Sequence, residues 1–392
     1  MAKSNFTYQS VKLKQKQFFD TFVGVPLAYL HILLAKTAGF LFRRNHSIEK
    51  KQPDEICFIK LLGYGSVVMA SDSIHSIKKK YPFSKITIIC SKTIEEGIKS
   101  LGLFDKVYVI DDHNIFTIIQ SSLRIIFQLW LRKQLWTVDL EVYSKLTSIL
   151  ALWTFAYNRF GFYFNEVSFR RNLNTHFIYF NSIINVVENY EQIAIALGVT
   201  DFYSYYLPRF SERPKQQTYS YIGLNNTCSE FSQVRKLSEK QMSAICNWIC
   251  DNTHYKVALL GAPSDRWENE NFIKNWSLPT DCVENLAGVY SIDDYYQFLY
   301  ENCKIIITID TAILHIAGKL HIPHLSIWGP TTPWSRIKQS DENIALYQPV
   351  KCSPCAHFID ILPCNGNNFC IKEIKDQTIR DAIQKMINEH ND

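Results

Sequence analysis

Ile305-Ile306-Ile307-Thr308-Ile309-Asp310-Thr311-Ala312-Ile313-Leu314-His315 is the stretch whose reading decides the fold. Its first half is a β-branched run, the pattern of a strand buried on both faces of a parallel sheet. Asp310 and Thr311 stop that strand and can cap a following helix. His315 lies one helical turn after Thr311, so the two side chains share a face at the helix start. A helix N-terminus offers unpaired N–H groups and a partial positive charge. The stretch therefore predicts an anion site, with an acid, a hydroxyl and an imidazole, at the carboxyl end of a parallel strand. Open α/β sheets bind ligands there. The plainer alternative is an ordinary capped helix with a packed histidine.

The same strand-to-helix rhythm runs outward in both directions. Upstream it predicts strands over 56–62, 85–90, 106–110, 137–142 and 159–164. Helices are expected up to Lys80 and over 93–101, 114–133, 145–158 and about 190–197, the last ending at Gly198. Residues 199–218, with Pro208, Arg209, Ser211, Pro214 and a polar run over 215–218, read as a linker. The rhythm then restarts, with strands over 219–225, 255–261, 283–288 and 324–329 and helices over 238–251, 265–276, 291–301 and 371–388. Strand and helix in alternation mean parallel βαβ units. The expected fold class is α/β, with two doubly wound Rossmann-like domains at 54–205 and 215–392 and a ligand cleft between them. A helical segment, 1–50, precedes them.

Composition narrows the partners. The chain has 392 residues, 47% apolar and 20% charged, with 42 basic and 37 acidic side chains and a net charge of +5. That balance does not call for nucleic acid. The basic residues crowd the N-terminus, at Lys12, Lys14, Lys16, Lys36, Arg43, Arg44, Lys50 and Lys51, as suits an anionic membrane face. Residues 18–42 are apolar but interrupted by Asp20, Pro26, His31 and Lys36. The clean part, 22–30, falls short of the ~20 residues of a spanning helix. An interfacial helix with basic flanks fits best; a tilted span or a helix packed on the body are the alternatives. Cys57, Cys90, Cys246 and Cys250 sit in apolar or helical segments and read as buried free thiols of a reducing compartment. No small-residue cleavage site follows the first apolar run.

Several loops carry chemistry. Gly63-Tyr64-Gly65-Ser66 joins a strand to a helix, where glycine lets backbone approach a ligand. It lacks the third glycine of a dinucleotide fingerprint and the lysine of a P-loop. Asp139 and Glu141, at i and i+2 of an expected strand end, point the same way, so one can act as a general base; a helix cap plus a solvated acid is the alternative. Asn225-Asn226-Thr227-Cys228-Ser229, followed by Arg235-Lys236, suits a diphosphate. Trp328-Gly329-Pro330-Thr331-Thr332-Pro333 is a rigid loop bearing hydroxyls. Cys352, Cys355, Cys364 and Cys370 give C-x2-C-x8-C-x5-C, which can hold Zn or Fe in a closed structural site; disulfides or free thiols are the alternatives.

Taken together over residues 54–375, these stretches resemble glycosyltransferase family 9, the heptosyltransferases of lipopolysaccharide assembly. Asp310-Thr311-Ala312-Ile313-Leu314-His315-Ile316-Ala317-Gly318 is similar to the family's D-T-G-x-x-H-x-A-x signature, with Ala312 in place of glycine. Arg235-Lys236-Leu237-Ser238 resembles its K-R-W-P stretch, and Gly261-Ala262-Pro263-Ser264-Asp265 its G-x-P-x-E turn. The resemblance implies a GT-B fold and inverting transfer of a sugar, heptose first, from a nucleotide-diphosphate sugar, ADP-heptose first. The implied acceptor is a lipopolysaccharide core or other envelope glycan, and no cofactor is required for catalysis. It implies a donor site at Asn226, Thr227, Arg235, Lys236, Asp265, Asp310, Thr311, His315, Gly329 and Thr331. The enzyme would sit on the inner face of the cytoplasmic membrane. The family's G-x-x-G-D motif carries its base at the aspartate, where this chain has Ser66. Glu141 is then the first candidate for the base, with Asp72 further along the helix. The alternative is a nucleotide-sugar-binding protein without catalysis.

Overall fold

A computed structural model describes residues 13–42, 44–49, 52–207, 210, 219–228, 230–337, 342–356 and 362–389. The basic residues Lys12, Arg43, Lys50 and Lys51, Ser229, and the linker residues other than Phe210 between 208 and 218 lie outside them. The chain divides into two units, Met1–Tyr205 and Tyr206–Asp392.

The first unit begins with helices α1 (Leu13–Phe22) and α2 (Gly24–Phe42). It continues through β1 (Glu55–Ile59), α3 (Tyr64–Lys80), β2 (Lys85–Ser91), α4 (Glu95–Ser100), β3 (Lys106–Ile110) and α5 (Ile115–Trp130). After these come β4 (Leu135–Asp139), α6 (Lys145–Trp153), β5 (Asn158–Tyr163), β6 (His176–Tyr179) and α7 (Val186–Ala196). The strands form one parallel sheet in the order β3-β2-β1-β4-β5-β6. β1 and β4 are buried along their whole length, as suits central strands of a parallel sheet. β6 is a half-exposed edge strand with no such run, and periodicity did not reveal it.

α1 and α2 dock on this unit. The Asp20 carboxylate accepts from the Ser144 hydroxyl at 2.8 Å and from the Leu146 N–H at 2.9 Å, satisfying the first turn of α6. Leu27, Ala28 and Ile32 of α2 pack on Leu146, Ile149 and Leu152 of α6. The stretch Gln15–Leu41 is long and apolar enough to cross a membrane by length and composition, with mean hydropathy 1.6.

The second unit runs β7 (Tyr221–Asn225), α8 (Glu239–Asn252), β8 (Lys256–Leu259), α9 (Arg266–Asn275), β9 (Val283–Asn285), α10 (Ile292–Asn302) and β10 (Cys303–Ile309). It ends with α11 (Ala312–Lys319), β11 (His324–Trp328), β12 (Asn343–Tyr347), α12 (Phe369–Lys372) and α13 (Asp376–Glu389). Its parallel sheet has the order β12-β11-β10-β7-β8-β9. All seven residues of β10 are buried, at the centre of the core. The expected helix over 371–388 is two helices. Gln241 of α8 donates its side-chain amide to the carbonyls of Ile371 and Ile374, at 3.0 and 3.2 Å. Cys250 is not a free thiol: it is bonded to Cys282, because the end of α8 lies 6.0 Å, Cα to Cα, from the residue before β9. Cys57, Cys90 and Cys246 are buried and free, as read.

Each sheet thus winds outward from its first strand, then reverses at its fourth. The switch points lie between β1 and β4 in one unit and between β7 and β10 in the other. Ligands of doubly wound sheets sit at the carboxyl edge of such a switch point.

Candidate functional site

At the β7–β10 switch point the chain leaves β10 through Asp310, whose side chain is 7% exposed. Arg235, from the loop after β7, donates Nη1 to the Asp310 carbonyl at 3.0 Å and lies 3.1 Å from its Oδ2. Burial pushes the Asp310 carboxyl up. Arg235, then Arg336 and His315, overcome this and hold it below the usual carboxylate range. Burial likewise pushes the His315 imidazole down to about 4, against the pull of Asp310, so it is neutral at pH 7. Two guanidinium groups, one carboxylate, a neutral imidazole and hydroxyls therefore meet at the start of α11. That set can receive an anionic, oxygen-rich ligand.

Asn225, the last residue of β7, holds the set together. Its Nδ2 donates to Thr311 Oγ1 at 3.1 Å and to Thr308 Oγ1 at 3.4 Å, and its Oδ1 accepts from Thr227 Oγ1 at 3.0 Å. Thr311 is the N-cap of α11, but its side chain makes no capping bond, contrary to the sequence reading; Asn225 takes its hydroxyl instead. Sequence reasoning missed Arg336 altogether. The available signal was a basic residue three places after Pro333, at the end of the Trp328–Pro333 loop.

Other expected donor residues do structural work. Asn226 spends its amide on both backbone groups of Leu237, at 2.7 and 3.1 Å. Lys236 pairs with Glu268 at 2.6 Å. Asp265 accepts from the Ala262 N–H at 2.8 Å and so closes the turn before α9. At Gly329 a Cβ would lie 2.5 Å from Ile371 and 2.7 Å from Cys370, so packing demands that glycine.

In the first unit, Gly63 adopts φ +80, which a side chain disfavours, and Ser66 follows in the first turn of α3. Glu141 does not share a strand face with Asp139. β4 ends at Asp139, which accepts the Glu141 N–H at 3.0 Å and turns the chain outward. Asp139 is buried against Arg170 at 3.1 Å. Glu141 accepts from the N–H groups of Leu61 and Leu62, at 2.9 and 3.0 Å, and from buried Lys60 at 2.8 Å. Its carboxylate thus grips the chain leading into the Gly63 turn and does not stand free. Asp72 accepts from the Tyr205 N–H at 2.6 Å and anchors the end of the unit, away from that turn.

Cys352, Cys355, Cys364 and Cys370 line one cavity of about 20 Å³. Cys355 and Cys370 are buried. Among the described residues no three His, Cys, Asp or Glu side chains form a ready metal cage. The loop nonetheless braces the Arg235 segment. Asn368 donates to the carbonyls of Val234 and Lys236, at 3.0 and 2.7 Å, on either side of Arg235. The N–H groups of Cys355 and Ala356 both reach the Pro330 carbonyl at 3.0 Å.

Two parallel sheets of this winding, with an anion-suited cluster at the second switch point, define a GT-B-like protein. Residues 207–365 match the profile of glycosyltransferase family 9 (heptosyltransferase). That match lies within the second unit. Lipooligosaccharide heptosyltransferase 2 of Haemophilus influenzae is 33% identical over 82 residues, which are 20% of this chain and 23% of that protein. The chain thus spans under a quarter of this curated relative. The E. coli ADP-heptose lps heptosyltransferase II superposes with a TM-score of 0.68 at 15% identity, over 86% of this chain and all of that one. The iron-containing dodecameric glycosyltransferase TibC of enterotoxigenic E. coli gives 0.54 at 10% identity, over 86% of this chain and 77% of that one.

Proposed function

We propose that the protein transfers a sugar, heptose in the first instance, from a nucleotide-diphosphate sugar such as ADP-heptose to a lipopolysaccharide core or other envelope glycan, at the inner face of the cytoplasmic membrane. The observation that carries this reading is the Arg235–Asp310–Arg336–His315 cluster at the β7–β10 switch point. In the proposed reaction the acceptor oxygen forms a bond to the anomeric carbon as that carbon's bond to the diphosphate breaks, with inversion. Arg235, Arg336 and the N–H groups at the start of α11 take up the charge leaving on the diphosphate. Asp310 positions Arg235 and the N-cap. Glu141 is the proposed acceptor of the hydroxyl proton.

A second reading draws on one observation: Glu141 is held by three hydrogen bonds and Ser66 stands where the family carries an aspartate. It is a nucleotide-sugar-binding protein that does not turn over. Thermal stabilisation by ADP-heptose, ADP and UDP-sugars tests the donor site. Turnover of wild type, Glu141→Gln and Ser66→Asp separates the two readings. A proton acceptor at Glu141 predicts a loss of roughly 10²–10⁴-fold in kcat for Glu141→Gln. Full activity in that variant removes Glu141 from the role, and binding without turnover in wild type favours the second reading. We also propose that the four cysteines bind Zn or Fe as a structural brace. Their shared cavity supports this, and metal content measured beside Cys352→Ser tests it.

A further inference from the structure

Helix α5 presents apolar side chains on both faces. Ile125, Ile126 and Leu129 pack into the first unit's core. On the other face Phe116, Ile119, Leu123, Phe127 and Trp130 follow one another at helical spacing and are exposed, Phe116 to 73%. A helix whose outer stripe is this apolar marks a docking surface.

The stripe does not end with α5. The rings of Trp130 and Phe155 lie 5.4 Å apart, and Trp130 Nε1 donates to the Trp153 carbonyl at 2.6 Å. Trp153 Nε1 in turn meets His31 Nε2 of α2 at 2.6 Å. Beyond His31, α2 exposes Tyr29, Leu30, Leu33, Leu34, Phe40 and Leu41. A chain of contacts across α6 therefore joins the apolar faces of α5 and α2.

Charge says what covers them. α2 and α5 contain no Asp or Glu, and their ionisable cations are Lys36 and Arg124. Arg44 reaches the Phe155 carbonyl at 3.5 Å, and Lys133 follows α5. Apolar faces with aromatic residues and cations but no acids complement an anionic lipid surface. Both helices are fixed to the body, α5 through its buried residues and α2 through Leu27, Ala28, His31 and Ile32. At 16 residues α5 is also only about 24 Å long, short of the ~30 Å hydrocarbon layer.

We propose that α2 and α5 together form a monotopic docking face that lies on an anionic bilayer, with neither helix crossing it. This goes beyond an N-terminal helix as the membrane element, because it makes α5 an equal part of the contact. It does not rest on the donor-site reading, since lipid binding is measured without turnover.

The test is flotation of the full chain with vesicles of phosphatidylcholine alone, or of phosphatidylethanolamine and phosphatidylglycerol in equal parts. Wild type should float with the anionic vesicles, less so at high salt. Phe116→Ser with Phe127→Ser should lower the vesicle partition roughly tenfold or more, as should Leu33→Ser with Leu34→Ser. Both pairs are exposed, so circular dichroism and ADP binding should match wild type. An α5 variant that floats like wild type overturns the proposal. So does a wild type that ignores both vesicles but elutes as a dimer that the α5 variant dissociates, because the face then joins two copies of this chain.

Discussion

Replacing Arg235 by Met tests the second switch point most directly. The change keeps much of the side chain's bulk and removes the guanidinium that contacts the Asp310 carbonyl at 3.0 Å and its carboxylate at 3.1 Å. Asp310 is nearly inaccessible, and Arg235 is the largest attraction offsetting its burial. Removing one partner of a buried pair typically costs ~3–5 kcal/mol. Arg336 remains and softens the loss, so we expect about 2–4 kcal/mol at pH 8 in urea unfolding of the second unit. The pH dependence gives the effect a signature. In wild type the depressed Asp310 pKa stabilises the fold above the unfolded value of 3.8, and this is lost as pH falls through the folded value. In the variant burial dominates, the folded pKa rises above 3.8, and the penalty grows as pH rises through it. The deficit should therefore shrink between pH 8 and pH 5. ADP affinity should fall roughly tenfold to a hundredfold, the worth of one charge-assisted hydrogen bond. A variant with wild-type unfolding at both pH values and wild-type ADP affinity would refute the assignment of Arg235 to an Asp310-centred anion site.

Three further outcomes follow from the same geometry. Because burial lowers the His315 pKa from 6.5 to about 4, the native state resists its protonation: stability is whole above pH 6.5 and falls as pH drops toward 4, by at most about 3 kcal/mol. His315→Gln should flatten that part of the stability profile in acid unfolding. Asn368→Ala removes both hydrogen bonds that hold the Arg235 loop, at Val234 and Lys236; it should raise the Kd for ADP several-fold and leave vesicle flotation unchanged. Asp20→Ala strips the first turn of α6 of its carboxylate cap, costing about 1–2 kcal/mol, and should speed hydrogen exchange in α1 before the rest of the unit.

The winding of both units was legible because buried parallel strands are hard to hide: β1, β4 and β10 are buried throughout and mostly apolar, and each is followed by a helix with turn chemistry between. Edge strands β6 and β12 were not, since one face meets solvent and the sequence there needs no long apolar run. Asp310, Arg235 and His315, named in sequence from strand ends or motif positions, are residues that the fold brings together in the candidate site. The sequence could not tell a residue that faces a ligand from one that holds the loop doing so. Asn226, Lys236 and Asp265, expected at the donor site, each also hold a protein neighbour within 3.0 Å. Arg336 shows the reverse. Its only mark in sequence is its place just after the Trp328–Pro333 loop, and the return of the chain past β11 brings its charge to Asp310. Glu141 joins both lessons. The reading that made it a partner of Asp139 required β4 to continue for two more residues. Once Asp139 accepts the Glu141 amide and ends the strand, the two acids part: one goes to Arg170 in the core, the other to Lys60 and the turn that leads to Ser66. The carboxylate at that turn therefore has a structural task whether or not it also takes a proton, and kinetics of Glu141→Gln must be read beside its unfolding curve.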